Sequence, residues 1–512
     1  MLARVYSAAL DGLEAYPVEV EVASKTGVPG VTIIGLPDAV IRESKDRIRS
    51  SIFSSSFKFK KKYYVINLAP ADTKKEGAAF DLPIALGMLA AMGYIPHEAF
   101  AETLILGELS LDGQLRPTHG VLSTVLMGRA RGYKRIILPK ANADEAALVT
   151  QIEVIAVETL QQAVFFMQQA EAISGHRIDL DLFFQHEEDE RIDFAEVKGQ
   201  SQAKRVLEIA AAGGHNVILR GSPGCGKTML ARRFPSILPP LSLEEALEVT
   251  QIYSIAGQLK HKQALITQRP FRHPHHTASH ISLVGGGSYP KPGEVSLAHH
   301  GVLFLDEMPE FRREVLEVLR QPLEDGVVTI SRAMSTLSFP AKFMLLGALN
   351  PCKCGYLNDP YKECTCDPFS VQKYVSKISG PLLDRVDLQL DVPRLKETEL
   401  HQYSDQGIEK SVTIRERVLR ARAVQHARLR ASNIFCNANM LNQHIKEFCL
   451  LRPEATIMLE RASHKFRFSG RVFHRILKVA RTVADLSEHA LIETPDIAEA
   501  IQYRGFADPS NS

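Results

Sequence analysis

Eight consecutive residues have the types and spacing of a phosphate-binding loop: Gly221, Ser222, Pro223, Gly224, Cys225, Gly226, Lys227 and Thr228. The glycines let the backbone curl, so that its N–H groups and the start of a following helix can hold nucleotide phosphates. Lys227 would reach the β- and γ-phosphates, and the hydroxyl of Thr228 would bind Mg²⁺. Apolar runs on both sides predict the strand and the helix that this motif requires. A glycine-rich turn without a ligand is the alternative.

Polar side chains follow directly after two further apolar runs. Residues 301–305 read as a strand buried on both faces, and Asp306 and Glu307 follow it. Asp306 would hold Mg²⁺, and Glu307 would polarise the attacking water as a general base. Residues 343–349 predict another buried strand, and Asn350 at its end could bond the γ-phosphate or position that water. These side chains predict a nucleoside triphosphate hydrolase.

Four of the seven cysteines lie close together, and they are Cys352, Cys354, Cys364 and Cys366. Two close pairs of thiolates around a short polar loop match a structural zinc site, although the C-x-C spacing is rarer than C-x₂-C. A disulfide pair or free thiols are the alternative. The His273-Pro274-His275-His276 cluster is a second candidate metal site, but adjacent histidines seldom converge on one ion.

The sequence predicts that the chain folds into several domains. Residues 1–170 alternate short strand-like runs with helical stretches and predict a separate α/β domain, and residues 171–192 become polar and acidic, as in a linker. Residues 193–392 contain all of the motifs above and predict the nucleotide-binding core, with a cysteine insertion at 352–366. Residues 393–512 have helical periodicity and predict a C-terminal helical domain.

Composition is ordinary for a globular protein of 512 residues: 45% are hydrophobic, 23% are charged and the formal net charge is +2. A charge this close to neutral requires any contact with nucleic acid to be local. One candidate surface is the lysine run at 58–62 among aromatic residues, for which a lysine-protected strand edge is the alternative. No apolar run of membrane-spanning or signal-peptide length is present, so we expect a cytoplasmic protein without a membrane partner.

The first domain resembles the proteolytic domain of the Lon family, in the stretches 67–72, 75–82 and 107–113. That resemblance implies the ribosomal S5-like α/β fold. Lon-type proteases need a serine activated by a lysine, and those positions hold Ala79 and Leu122 here. The missing pair argues against peptide hydrolysis.

The core resembles the AAA+ superfamily. Its segments 269–277, 283–287 and 292–299 resemble the magnesium-chelatase-like branch, and within it the ComM/YifB family, over the full chain. The resemblance implies ATP with Mg²⁺, a helical lid and a ring, most simply a homo-hexamer. It makes Asn350 the first sensor, Arg385 the arginine finger that acts on a neighbouring subunit, and Arg471 the second sensor. A salt bridge with Asp384 or Asp387 is the alternative for Arg385.

The same resemblance implies an ATP-driven DNA motor, a helicase that promotes branch migration during recombination in natural transformation. Single-stranded and branched DNA would be its partners, and Tyr289 and Lys291 in a pore loop would grip the strand. The arginine-rich helix at 415–430 could face DNA, or it could form a solvated or intersubunit face. The competing functions are a chelatase motor subunit that acts on a partner protein and an ATP-dependent unfoldase.

Overall fold

The computed structural model describes residues 2–184, 193–259, 263–287, 290–331, 336–395, 409–432 and 434–504. Its contacts divide the chain into two units. The first comprises Met1–His186 together with Leu243–Thr267 and Ser331–Ser338, and the second comprises Glu187–Ser242, Gln268–Ile330 and Phe339–Ser512. The helix Leu243–Ala256, which the sequence placed in the nucleotide-binding core, therefore packs with the first unit.

The first unit is built on a mixed seven-stranded sheet. Its order is β3-β4-β2-β1-β5-β8-β9, where β1–β2 and β2–β4 are antiparallel and the other pairs are parallel. The strands are β1 Leu2–Asp11, β2 Glu14–Lys25, β3 Gly30–Ile34, β4 Tyr63–Ala69, β5 Thr103–Ile105, β8 Arg135–Pro139 and β9 Glu153–Val157, and a small hairpin joins β6 Glu108–Leu109 to β7 Leu115–Arg116.

Helices cover this sheet, and the central one is Asp81–Ala91, in which every residue is buried. Its apolar residues complete a core with the inward-facing valines of β1 and β2. The other helices of the unit are Ala39–Ser54, Val121–Ala130, Ala143–Ala147, Leu160–Met167, Leu180–Phe184 and Leu243–Ala256.

Leu243–Ala256 is tied to the rest of the first unit by buried polar contacts. The hydroxyl of Ser254 donates to Glu145 at 2.5 Å and accepts from the backbone N–H of Gly120 at 2.9 Å. Burial raises the pKa of the Glu145 carboxyl. These bonds fix the helix against the segment that precedes Val121–Ala130.

The second unit contains a five-stranded sheet with the order β11-β14-β17-β10-β18, in which every pair is parallel. The strands are β10 Val217–Arg220, β11 Phe271–Arg272, β14 Val302–Leu305, β17 Met344–Leu349 and β18 Leu388–Asp391. All residues of β14 and β17 are buried, as their uninterrupted apolar runs predicted. This sheet confirms the predicted P-loop core of the AAA+ type.

Short elements fill the connections of this sheet. A hairpin between β11 and β14 pairs β12 Gly285–Gly286 with β13 Lys291–Pro292. The strands β15 Val327–Ser331 and β16 Thr336–Pro340 precede β17. The helices of the core are Ser201–Gly213, Lys227–Arg233, His280–Val284, Glu294–Leu297, Arg313–Glu317, Arg320–Asp325, Pro368–Val375 and Gly380–Leu383.

The C-terminal region is helical, as predicted, and shares one hydrophobic core with the sheet of the second unit. The helix Gly470–Leu486 lies at its centre, and Ser469 caps it by accepting the N–H of Val472 at 3.3 Å. Its other helices are Ser411–Leu429, Asn442–Phe448, Pro453–Phe466 and Thr494–Gln502.

Candidate nucleotide site

Strand order brings the predicted catalytic residues to one edge of the sheet. β17 lies between β14 and β10, so the loop after β10, Asp306 after β14 and Asn350 after β17 leave three adjacent strands. Because the strands are parallel, their carboxyl ends meet at the same edge, where ligands bind in open α/β sheets. The sequence could place these residues at strand ends, and the strand order makes them neighbours.

The loop after β10 adopts a conformation that requires glycine. Gly224 and Gly226 have φ angles of 80° and 96°, in the left-handed region. The helix Lys227–Arg233 begins directly after Gly226. This is the strand, loop and helix arrangement that the sequence predicted.

Lys227 folds back over its own loop. Its Nζ donates to the carbonyl oxygens of Gly221 at 2.6 Å and Ser222 at 3.0 Å, and to Oδ1 of Asn350 at 3.2 Å. The residue is only 8% exposed. The ammonium group is therefore held between the loop and the end of β17, where it can exchange these oxygens for those of a phosphate.

Thr228 and Asp306 meet on the other side of the loop. The hydroxyl of Thr228 donates to Oδ2 of Asp306 at 2.7 Å. A hydroxyl beside a carboxylate offers the hard oxygen ligands that Mg²⁺ prefers, so the donor set fits this ion. ATP supplies the remaining ligands in sites of this type.

Glu307 is arranged differently from Asp306. Its backbone has a φ of 49°, its N–H donates to Oδ1 of Asp306 at 3.0 Å, and its side chain is 56% exposed. Nδ1 of His276 lies 3.8 Å from Oε2 of Glu307. A left-handed backbone is costly for glutamate, so this conformation is an unusual one for the residue that follows Asp306.

Among the described residues, the three histidines of the His-Pro-His-His cluster do not form a metal-binding group. His273 packs against the ring of Phe304 with 4.8 Å between centroids, and the rings of His275 and His276 lie 4.1 Å apart. These contacts, with the His276–Glu307 pair, give the cluster a packing role beside the acidic strand end.

The four clustered cysteines converge. One ligand atom from each lies within 4.8 Å of the others, and the closest sulfur pairs are Cys352–Cys354 at 3.3 Å, Cys354–Cys364 at 3.6 Å and Cys352–Cys364 at 3.7 Å. Tetrahedral zinc with Zn–S bonds of about 2.3 Å requires sulfur atoms about 3.8 Å apart, whereas a disulfide requires about 2 Å. All four are free thiols.

Backbone N–H groups donate hydrogen bonds to sulfur atoms of this cluster. The N–H of Cys354 donates to the sulfur of Cys366, and the N–H of Cys366 donates to the sulfur of Cys364. A backbone bond from Tyr356 is the main cause that lowers the pKa of the Cys354 thiol to about 6. Burial raises the pKa of the Cys352 thiol, and hydrogen bonds with the neighbouring thiols of Cys354 and Cys364 raise it further.

Arg385 and Arg471 lie together, and both contact Glu324. Arg385 pairs with this carboxylate directly, and Nη2 of Arg471 lies 3.6 Å from it. They line a cavity of about 440 Å³ whose walls include Glu324, Asp384, Arg385, Asn442, Ile445, Gly470, Arg471, His474, Arg475 and Lys478.

The alternative for Arg385, an ion pair with Asp384 or Asp387, is not among the contacts of Arg385 in the described chain. No residue of the phosphate loop lines this cavity.

A buried network that the sequence did not reveal links Arg385 to the sheet. Asn216, just before β10, donates through Nδ2 to the carbonyl of Arg385 at 3.1 Å and accepts at Oδ1 from the N–H of Leu345 at 2.8 Å. Its own N–H donates to Asp387 at 3.0 Å. The same side chain thus bonds the start of β17 and the arginine segment.

Asp387 is held by charged partners as well. Nη1 of Arg475, from the lid, donates to Oδ1 of Asp387 at 2.5 Å and to the carbonyl of Arg385 at 2.9 Å. Burial by itself would raise the pKa of Asp387, but Arg475 and His215 together hold it well below its usual range. The polar pair His215 and Asn216 directly before the apolar strand β10 is the sequence signal that could have indicated this network.

Some of the residues that the sequence predicted to contact DNA are exposed, and one lies outside the described residues. Tyr289 lies outside the described residues, and Lys291 is exposed on β13. The lysines at 58–62 are exposed in an irregular segment before β4, which is an interior strand of its sheet, so they do not form a strand edge.

The arginine-rich helix Ser411–Leu429 uses several of its arginines inside the second unit. Arg417 pairs with Glu208, Arg422 donates to the carbonyl of Ala211 at 2.9 Å, and Arg428 pairs with Asp485 at 2.6 Å. These contacts favour a structural role for that face of the helix.

The whole chain is similar to known bacterial proteins. It is 42% identical to the competence protein ComM of Haemophilus influenzae over 505 residues, which cover 98% of this chain and 97% of that protein. The chain belongs to the ComM/YifB family of magnesium-chelatase-like AAA+ ATPases. The YifB protein of Escherichia coli is 40% identical over the same coverage, and protein Rv2897c of Mycobacterium tuberculosis is 39% identical over 504 residues, or 98% of each chain.

Three family models match successive parts of this ComM/YifB protein. Residues 18–142 match subunit ChlI of Mg-chelatase, residues 193–400 match magnesium chelatase subunit ChlI, and residues 408–504 match the C-terminal part of that subunit. The 67 kDa magnesium-chelatase subunit of Chlorobaculum parvum is 28% identical over 166 residues, or 31% of this chain and 23% of that protein. In the described part of the chain, every helix is too short or too polar to cross a membrane.

Proposed function

We propose that this ComM/YifB protein hydrolyses ATP to drive a ring-shaped motor, a homo-hexamer, that acts as a helicase on DNA. The observation that carries the ATPase part is the convergence of Lys227, Thr228, Asp306 and Asn350 at adjacent strand ends. Each supplies a group that phosphoryl transfer requires, because this reaction is catalysed by positioning and by neutralising charge.

The roles follow from the contacts. Lys227 leaves the loop carbonyls to bind the β- and γ-phosphates, and Asn350 orients the γ-phosphate or the attacking water. Thr228 and Asp306 hold Mg²⁺, which neutralises charge on the phosphate oxygens. Glu307, exposed beside them, accepts the proton of the attacking water.

The position of Arg385 supports a site shared by two subunits. Arg385 and Arg471 line a cavity without phosphate-loop residues, so we assign both arginines to the triphosphate of a neighbouring subunit. Glu324 neutralises them when no triphosphate is present. Assembly is then a condition of hydrolysis, which is the reason for proposing a ring.

The DNA substrate is supported by the relationship to ComM, a competence protein, over almost the whole chain. We propose that the motor moves branched or single-stranded DNA during recombination of incoming DNA, in the cytoplasm. Lys291 on its exposed hairpin and the exposed lysines at 58–62 are described residues available to contact the strand.

We also propose that Cys352, Cys354, Cys364 and Cys366 bind one zinc ion. Their free thiols, their mutual distances and the N–H groups that face the sulfurs fit tetrahedral zinc. Bound zinc would fix a segment between β17 and the helix Pro368–Val375 that has neither helix nor strand.

A branch-migration assay tests the proposal. Purified full-length protein is incubated with ATP and a fluorescently labelled three-strand DNA, and strand displacement and phosphate release are both measured. We expect displacement that needs ATP and is lost in Glu307→Gln. Hydrolysis without DNA movement would reject the motor on DNA and leave the ATPase, and stimulation by a tetrapyrrole-inserting partner would then favour a chelatase-type function.

A further inference from the structure

The cysteine segment lies directly against the phosphate loop. Gly355, between Cys354 and Cys364, has a φ of 88°, and a Cβ atom there would lie 2.7 Å from Cγ and Cδ of Pro223. The same atom would lie 3.8 Å from Cγ of Asn350. The backbone of the cysteine segment therefore approaches the phosphate loop more closely than a side chain would allow.

A buried carboxyl group, that of Asp359, lies farther along the same segment. The side chain of Asp359 is fully buried, and its Oδ1 accepts the N–H groups of Tyr361 at 2.9 Å and Lys362 at 3.0 Å. The hydroxyl of Ser222 is the main influence that lowers the pKa of this carboxyl. Pro223 of the phosphate loop thus faces the cysteine segment at Gly355, and the influence of Ser222 on the pKa of Asp359 agrees with that approach.

The segment is not held by regular secondary structure. Between the end of β17 at Leu349 and the helix that starts at Pro368, the described chain contains no helix or strand. Cys352 follows Asn350 after a single residue and is fully buried. A bond that joins the four sulfurs would therefore hold the segment in shape, and with it the surface that Gly355 and Asp359 present.

We propose that this segment is a metal-stabilised clasp on the phosphate loop, so that metal occupancy of the four cysteines controls the affinity for nucleotide. The inference rests on the proposed ATP and zinc sites and adds a coupling between them. The metal orders the clasp, and the clasp holds Ser222 and Pro223 in the conformation that binds phosphate. Loss of the metal weakens nucleotide binding about tenfold, within the usual range of such couplings.

Coupling of this kind is reciprocal. If the metal strengthens nucleotide binding by some factor, bound nucleotide strengthens metal binding by the same factor. A non-hydrolysable ATP analogue should therefore reduce the protein's loss of zinc to a chelator. This consequence requires no catalysis, so it can be measured whatever the motor acts on.

The experiment uses the full-length protein and a fluorescent ATP analogue. Zinc is counted by mass spectrometry before and after treatment with a chelator and a reductant, and the Kd of the analogue is measured by anisotropy. We expect one zinc ion per chain, a Kd about tenfold higher after its removal, and slower zinc release when the analogue is bound. An unchanged Kd, equal release rates or a purified protein without metal would each overturn the proposal.

A pair of glycine variants separates the clasp from general stability. In Gly355→Ala the new methyl group collides with Pro223, so we expect zinc to remain and the Kd to rise about tenfold. Gly132→Ala is the control, since Gly132 also has a positive φ, of 80°, but nothing lies within 4 Å of its Cβ position. Equal affinities in the two variants would reject the clasp, even if the zinc-free protein unfolds.

Lys227→Ala distinguishes this failure from that of the proposed ATP site. If Lys227→Ala binds the analogue as tightly as the unchanged protein, the nucleotide site itself is assigned wrongly. If its binding is lost while zinc removal has no effect in the unchanged protein, only the clasp is rejected.

Discussion

The ammonium group of Lys227 donates a hydrogen bond to the side-chain oxygen of Asn350 across 3.2 Å. One residue belongs to the loop after β10 and the other to the end of β17, the strand that pairs with β10. A charge-assisted bond between them places both groups around the position that a γ-phosphate would take. Each residue of the proposed nucleotide site can therefore be tested by substitution.

Replacing Asn350 by alanine should slow hydrolysis while leaving nucleotide binding nearly unchanged. The amide contributes mainly where charge develops on the transferred phosphate, and removal of one such group costs about 10²–10³ in kcat. Phosphate release and binding of a fluorescent ATP analogue are the measurements. The control is Gln151→Ala, which removes an exposed amide in the first unit. An equal kcat in both variants would exclude Asn350 from the reaction.

Glu307→Gln should abolish turnover but preserve ATP binding. Loss of a general base lowers kcat by about 10²–10⁴, whereas the proposed Mg²⁺ ligands Thr228 and Asp306 keep their contact. Glu314→Gln is the matched control, because Glu314 is an exposed acidic residue of the same region. Full activity in Glu307→Gln would assign the base elsewhere.

Mixing two inactive variants tests the shared site. Lys227→Ala removes the proposed phosphate contact and Arg385→Ala removes the proposed arginine finger, so each protein alone should be inactive. In rings of both subunits, about a quarter of the sites would combine an intact loop with an intact finger, and hydrolysis should recover to that extent. The expected result is phosphate release after mixing.

That complementation has its own control. Doubling the amount of either variant alone should produce no hydrolysis. If the mixture also remains inactive although the subunits exchange, Arg385 acts within its own chain or not at all, and the proposed ring loses its main structural support.

Asp387→Asn should destabilise the second unit. Asp387 is buried with Arg475 and His215, and breaking a buried ion pair costs about 3–5 kcal/mol. The expected loss in Tm is roughly 10 °C, measured by circular dichroism. Asp391→Asn is the control, since Asp391 pairs with Arg220 at the surface and its loss should cost less than about 1 kcal/mol.

The loss of Tm caused by Asp387→Asn should depend on pH, because the pKa of Asp387 is lowered in the folded protein. Burial opposes ionisation, but Arg475 and His215 outweigh it, so the folded pKa lies below the unfolded value of about 3.9. The stabilisation is therefore complete above about pH 4 and declines as the pH falls further. We expect the difference in Tm between Asp387→Asn and the unchanged protein to be constant from pH 5 to 8 and to shrink on acidification. A constant difference down to pH 3 would contradict this assignment.

Long-range contacts explain what sequence reasoning missed. Asn216 and Glu324 belong to no motif, and their partners lie 169 and 61 positions away in the chain. The division into units was hidden for the same reason. Leu243–Ala256 follows the phosphate loop in sequence, but Ser254 bonds Glu145 and Gly120 in the first unit.

The sequence by itself determined the phosphate loop, the buried strands that end in Asp306 and Asn350, and the four cysteines, because each depends on the order of residues within a short stretch. The family resemblance added Arg385 and Arg471. Only the tertiary structure decided that these two arginines share Glu324, and that the cysteine segment lies on Pro223. Such neighbours are fixed by strand order and by packing between distant segments, which no local pattern encodes.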